Sequence, residues 1–128
     1  MIQWLTDLNK AKEKALAEQK LILIDFTGSD WCPWCTRIEQ EIFSQEPFQK
    51  YAVEKFVMVK LDFPRLRPQS PEVAKNNRAL AEFYEVDGFP TVLICGAAGD
   101  VLLRTGFRHG GAEEYVAFLK QSLAHAGY

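Results

Sequence analysis

Seven residues, Leu21-Ile22-Leu23-Ile24-Asp25-Phe26-Thr27, constrain this chain more than any others. A strand exposed on one face alternates apolar and polar residues, whereas this run is apolar at both parities. It belongs at the centre of a sheet with a layer over each face, and in a chain of 128 residues those layers are helices. Just downstream, Gly28-Ser29-Asp30-Trp31 leads into Cys32-Pro33-Trp34-Cys35, after which Cys35, Ile38 and Ile42 step by three and four along one helical face. A central strand that delivers a CxxC to the start of a helix is a setting for redox chemistry.

The remaining elements follow from the same rules. Thr6 or Asp7 can cap a first helix to about Gln19, with Leu8, Ala11, Ala15 and Leu16 as its apolar stripe. The CxxC helix breaks near Ser44–Pro47 and restarts through Phe48, Tyr51 and Ala52. Phe56–Phe63 reads as a second strand, and the three prolines within 64–71 make a loop. Pro71 opens a helix through Ala74, Leu80, Ala81 and Tyr84. After Asp87-Gly88, Phe89–Cys95 is a third strand, and Ala97–Asp100 turns the chain into Val101–Phe107. Gly110-Gly111 opens a last helix carrying Tyr115, Phe118, Leu119 and Ser122. The order α β α β α β β α predicts one α/β domain over residues 1–128, a sandwich with a mixed sheet.

Charge and composition remove several functions. Fifteen basic and 17 acidic residues leave a net charge of −2, so no field invites nucleic acid or anionic lipid. No apolar stretch approaches the roughly 20 residues of a membrane span, and Met1–Lys20 shows neither the apolar core nor the cleavage site of a signal peptide. Three cysteines are too few for a disulfide scaffold.

The chemistry centres on the paired cysteines. With Cys32 at the N-cap and Pro33 at the first helical position, the Cys32 sulfur meets unpaired N–H groups and the positive helix end, which favour a thiolate. Cys35, on the face of Ile38 and Ile42, is expected to be the more buried sulfur. The expectation is an exposed Cys32 that attacks a substrate disulfide and a Cys35 that resolves the mixed disulfide. Half of a zinc site and an inert disulfide are the alternatives; zinc would have to recruit Cys95, His109 or His125, with Cys95 in an apolar strand.

Asp25, an acid inside the apolar strand, is a candidate proton relay to Cys35, with Lys60 on the neighbouring strand as its partner; the plainer reading is a structural Asp25–Lys60 pair. Trp31, Pro33 and Trp34 are expected to form an apolar rim for substrate. Phe89-Pro90 stands at the start of its strand, where free backbone groups could hold an extended peptide. X–Pro bonds are mostly trans, so the residues alone leave the isomer open. Cys95 reads as a small buried hydrophobe, His109 as a solvated loop residue, His125 as a helix-end charge, and Arg65 and Arg67 as solvated charges.

Taken together, Ile24-Asp25-Phe26, Trp31-Cys32-Pro33-Trp34-Cys35, Val59-Lys60-Leu61-Asp62 and Val86-Asp87-Gly88-Phe89-Pro90-Thr91 resemble the thioredoxin superfamily. Within it, Gly28-Ser29-Asp30-Trp31-Cys32 and Glu41-Ile42-Phe43-Ser44 look most like the bacterial thioredoxin-like proteins that include DsbH-type oxidoreductases. The resemblance implies a thioredoxin-like three-layer sandwich, a nucleophilic Cys32, a resolving Cys35 and a cis Pro90 beside them. It also implies a periplasmic or otherwise extracytoplasmic thiol-disulfide oxidoreductase, with a cytoplasmic one as the alternative.

The expected activity is reduction or isomerisation of protein or peptide disulfides by a monomer, with no cofactor beyond its own cysteines and a redox partner to recycle them. The reading from a different class is a redox-inert binding or adaptor module on the same fold. The chain departs from ordinary thioredoxin in its Pro33-Trp34 dipeptide, in one additional residue between Asp25 and Cys32, and in the loop 64–71, which is placed to shape partner choice.

Overall fold

The structure, a computed structural model, describes residues 2–128. A two-residue strand β1 (Trp4–Leu5) comes first, and Asp7 then caps α1 (Leu8–Glu18) by accepting the N–H groups of Asn9 and Lys10 at 2.9 and 3.3 Å. Strand β2 (Leu21–Thr27) is buried at every position. Cys32 caps α2 (Pro33–Ile38), which runs into a π-helical segment, Glu39–Phe43, before α3 (Glu46–Lys55). Strand β3 (Phe56–Asp62) leads through the loop to α4 (Pro71–Phe83), capped by Ser70, whose hydroxyl accepts the Val73 N–H at 3.1 Å. The hairpin β4 (Thr91–Cys95) and β5 (Val101–Thr105) precedes α5 (Gly111–His125).

The strands form one mixed sheet in the order β1-β3-β2-β4-β5. β3 is parallel to both β1 and β2, while β4 runs antiparallel to β2 and β5 antiparallel to β4. The expected sandwich is present, with β2 at its centre.

Alternation along β2 sorts the core. Ile22, Ile24 and Phe26 join Val57, Val59 and Leu61 of β3 in packing against Leu8, Ala11 and Ala15 of α1 and against Tyr84. Leu21 and Leu23 face the other way, with Met58, onto Ile38, Ile42, Phe43, Phe48, Tyr115 and Leu119. Each fully buried side chain of this size stabilises the fold by about 1.5–3 kcal/mol. Asp25 shares the parity of Leu21 and Leu23, so the sheet aims it at the layer that carries the CxxC.

Several boundaries differ from the expectation. β1 is too short to show a period, and the tie comes from its register, Trp4↔Met58 and Leu5↔Val59. Leu16 is 74% exposed, because it lies one residue, about 100°, round the helix from Ala15. β4 starts at Thr91 rather than Phe89: Pro90 has no N–H, and pairing with β2 begins at Thr91↔Phe26. β3 ends at Asp62 and β5 at Thr105, although the Phe63 N–H still donates to the Thr27 carbonyl at 2.8 Å. The π segment, closed by Ser44 N–H to the Glu39 carbonyl at 2.9 Å, inserts one residue into the helix before the expected break. That insertion is what lets Phe43, with Ile38 and Ile42, reach the core.

Candidate active site

All three cysteines are free thiols. Cys32 holds an extended backbone (φ −99°, ψ 109°) at the N-cap, and Pro33 occupies the first turn. The Cys35 N–H donates to Cys32 Sγ at 3.3 Å, and the Gly28 N–H donates to Cys35 Sγ at 3.4 Å. One N–H group of the helix end, on Cys35, and one of the turn before it, on Gly28, are thus directed at sulfur.

Cys32 is not the exposed residue expected from its place at the helix start. It is 5% accessible, against 3% for Cys35. Phe89 and Pro90 close over it: the peptide bond between them is cis, and the Phe89 carbonyl accepts the Cys32 S–H at 3.6 Å. Burial, and then the contact with Cys32, push the Cys35 thiol up to about 12.

Beneath Cys35 lies a polar cleft of about 230 Å³ whose lining includes Asp25, Cys35, Glu39 and Lys60. Asp25 is 2% exposed, and its Oδ1 has no hydrogen-bond partner among the described residues. Burial raises its carboxyl from 3.8 to about 7, outweighing the opposing pull of the Lys60 charge.

The expected Asp25–Lys60 pair is not formed. The two residues are opposite each other in the β2–β3 register, but Lys60 Nζ donates to Glu39 Oε1 at 2.9 Å and sits 4.5 Å from the centre of the Trp4 ring. An aromatic face and a half-exposed carboxylate hold the ammonium at less desolvation cost than a fully buried acid would. Glu39 is not among the site residues expected from the sequence. Its position four residues after Cys35, one helical turn on, was the available signal.

Two aromatic walls stand beside the sulfurs. On one side, Trp31 donates its Nε1–H to the Phe63 carbonyl at 2.7 Å and meets the Phe89 ring edge-on with centroids 5.8 Å apart. Neither loop arginine is simply solvated: Arg65 lies 3.5 Å over the Trp31 ring, and Arg67 is paired with Asp62. On the other side, Trp34 is 47% exposed and packs on Phe107 (5.2 Å), His109 (6.1 Å) and the Arg37 guanidinium (4.9 Å). Pro33 is exposed at the head of α2. Trp31, Pro33, Trp34, Phe89 and Pro90 thus border the two thiols, while Asp25 and Lys60 lie beneath them.

A dithiol capping a helix, roofed by a cis-proline loop and set over a buried acid on a mixed sheet, defines a thiol-disulfide oxidoreductase of the thioredoxin fold. The sequence agrees: residues 3–97 match the family model described as thioredoxin-like, and the chain belongs to that family. It is 36% identical over 122 residues to the disulfide bond reductase DsbH of Chlamydia pneumoniae, covering 95% of this chain and 73% of that protein. A solved structure of a DsbH oxidoreductase superposes with a TM-score of 0.90 at 36% identity, over 96% of this chain and 85% of the other. The thioredoxin-related protein DsbJ of Chlamydia pneumoniae is 28% identical over 105 residues, which are 82% of this chain and 30% of that protein. Among the described residues no helix is long and apolar enough to cross a membrane.

Proposed function

We propose that this chain is a protein-disulfide reductase in which Cys32 attacks, Cys35 resolves and Asp25 moves the proton between steps. The observation that carries the reading is the Cys32 sulfur held between the Cys35 N–H and the carbonyl of the cis Phe89–Pro90 unit. A substrate sulfur arriving along that loop meets a nucleophile already seated. The reductive direction is supported by its likeness to DsbH, a disulfide bond reductase.

The Cys32 thiolate attacks one sulfur of a substrate disulfide. A Cys32–substrate S–S bond forms as the substrate's own bond breaks, and the departing thiolate takes up a proton. Cys35 then yields its proton to the Asp25 carboxylate through the polar cleft, whose volume admits water. The new Cys35 thiolate attacks Cys32 Sγ, the second substrate sulfur leaves as a thiolate and takes up the proton that Asp25 returns, and a Cys32–Cys35 disulfide remains. The substrate has gained two electrons and the protein has lost them, so a dithiol partner must restore the pair.

The base is needed because a thiol pushed up to about 12 does not ionise unaided near neutral pH, whereas a carboxyl near 7 can both accept and return a proton there. Lys60 and Glu39 act by setting the charge beside that carboxyl.

Disulfide substrates persist in oxidising compartments, and that chemistry, with the Dsb names of the relatives, supports an extracytoplasmic site of action for a monomer. The test is insulin reduction with dithiothreitol as the recycling thiol. Cys32→Ser is expected to abolish turnover, and Cys35→Ser to accumulate a mixed disulfide with substrate, visible as a mass adduct at Cys32. Full activity in Cys32→Ser, or an adduct at Cys35 in its place, would overturn the assignment.

A further inference from the structure

The loop 64–70 does more than connect β3 to α4. Asp30, directly before Trp31, accepts the backbone N–H groups of Arg65 and Leu66 at 3.0 and 2.9 Å, and these bonds hold its carboxyl below the usual carboxylate range. Asp62 accepts the Ser29 N–H at 2.9 Å, the Ser29 hydroxyl at 2.5 Å and the Arg67 guanidinium. The acids on both sides of the loop are thereby committed.

Arg65 itself forms no ion pair among the described residues. Its guanidinium rests on Trp31, Trp31 touches Phe89, and the Phe89 carbonyl touches Cys32. Beside it Leu66 stands 78% exposed. The opposite wall lacks an open cation on its aromatic face, since Arg37 is spanned by Glu41 through bonds of 2.7 and 3.3 Å. Arg108, next to Phe107, is also without an ion pair among the described residues, but its guanidinium lies 3.7 Å over the Phe118 ring on α5 rather than over Trp34. The unpaired cation that rests on an aromatic wall of the site is therefore Arg65, on the Trp31 side of the nucleophile.

We infer that Arg65 is a specificity residue, and that the reductase prefers disulfides in peptide segments with a carboxylate side chain next to the reacting cysteine. An acidic residue lying along the Trp31 wall forms an ion pair with a guanidinium that the aromatic face has already ordered. The inference rests on the reductase reading above and adds the substrate class to it.

The experiment compares kcat/KM of the full chain on three synthetic peptide disulfides whose flanking residues are glutamate, glutamine or lysine. An exposed pair of this kind is worth about a three- to five-fold preference for the acidic over the basic peptide. The preference should reside in KM, shrink from 50 to 500 mM salt, vanish in Arg65→Gln and reverse in Arg65→Glu. Far-ultraviolet circular dichroism checks that both variants fold, and Arg65→Lys should restore part of the preference. Equal rates on the three peptides, or a preference that survives Arg65→Gln, would overturn the inference and leave the reductase reading standing. Failure of the unaltered chain to reduce any peptide would sink the reductase reading itself.

Discussion

Asp25 shows how a single side chain can set both a reaction and a stability profile. Its carboxyl is raised from 3.8 to about 7, chiefly by burial. Between those two values the folded chain keeps a proton that the unfolded chain has released, so stability falls as pH rises through that window and levels off above it. The contribution present below the unfolded value and lost above the folded one is on the order of a few kcal/mol. Asp25→Asn should therefore raise the urea midpoint at pH 8 and have far less effect at pH 4. The same variant should slow resolution of a pre-formed mixed disulfide and remove an apparent pKa near 7 from that step, read by stopped-flow tryptophan fluorescence. An unchanged pH–rate profile would remove Asp25 from the proton path. Position 25 was legible because an acid in an otherwise apolar strand demands a reason. Lys60 was legible as a neighbour but not as a partner, since its choice of Glu39 depends on where Trp4 and the π segment fall in three dimensions.

Among the elements, the turn from β2 into α2 carries the tightest constraint. A Cβ built on Gly28 would stand 2.6 Å from Trp31 Nε1, closer than real contacts allow. The same glycine donates its N–H to Cys35 and accepts the Trp31 and Cys32 N–H groups at 3.2 and 2.9 Å. Gly28→Ala should push the indole off the Phe63 carbonyl and cost about 1–3 kcal/mol. A lower urea midpoint together with a changed Trp31 emission is the expected result, and an unchanged spectrum would show that the wall gives without cost. The helix–strand alternation was readable from hydrophobic period, and the CxxC from its spacing. The burial of Cys32 was not readable, because it depends on a loop 57 residues away folding back over it. Nor was the π segment, since one inserted residue leaves no period of its own in the sequence.

On the scale of the whole molecule, the sheet divides the work. One face, with α1 and α4, is packed from apolar side chains and carries no reacting group, while the other holds Asp25, Lys60 and the cysteine-bearing helix over a second apolar cluster. The catalytic end is cut into a core that continues past it, so the polar cleft borders packed side chains rather than replacing them.

Cys95 gives this arrangement a clock. It is 0% exposed on β4, between β2 and β5, and burial pushes its thiol up to about 12. Once Cys32 and Cys35 are oxidised to each other, an alkylating reagent has one remaining target, which it reaches only when the layer of α1 and Tyr84 packed over it opens. When alkylation is slower than reclosing, the mass gained per hour is set by the population of the open form. That rate should climb with urea alongside global unfolding, and a fast, urea-independent gain would reveal that the layer over this sheet face opens on its own. The protein thus carries an internal timer for its own breathing, started by the oxidation of its active pair.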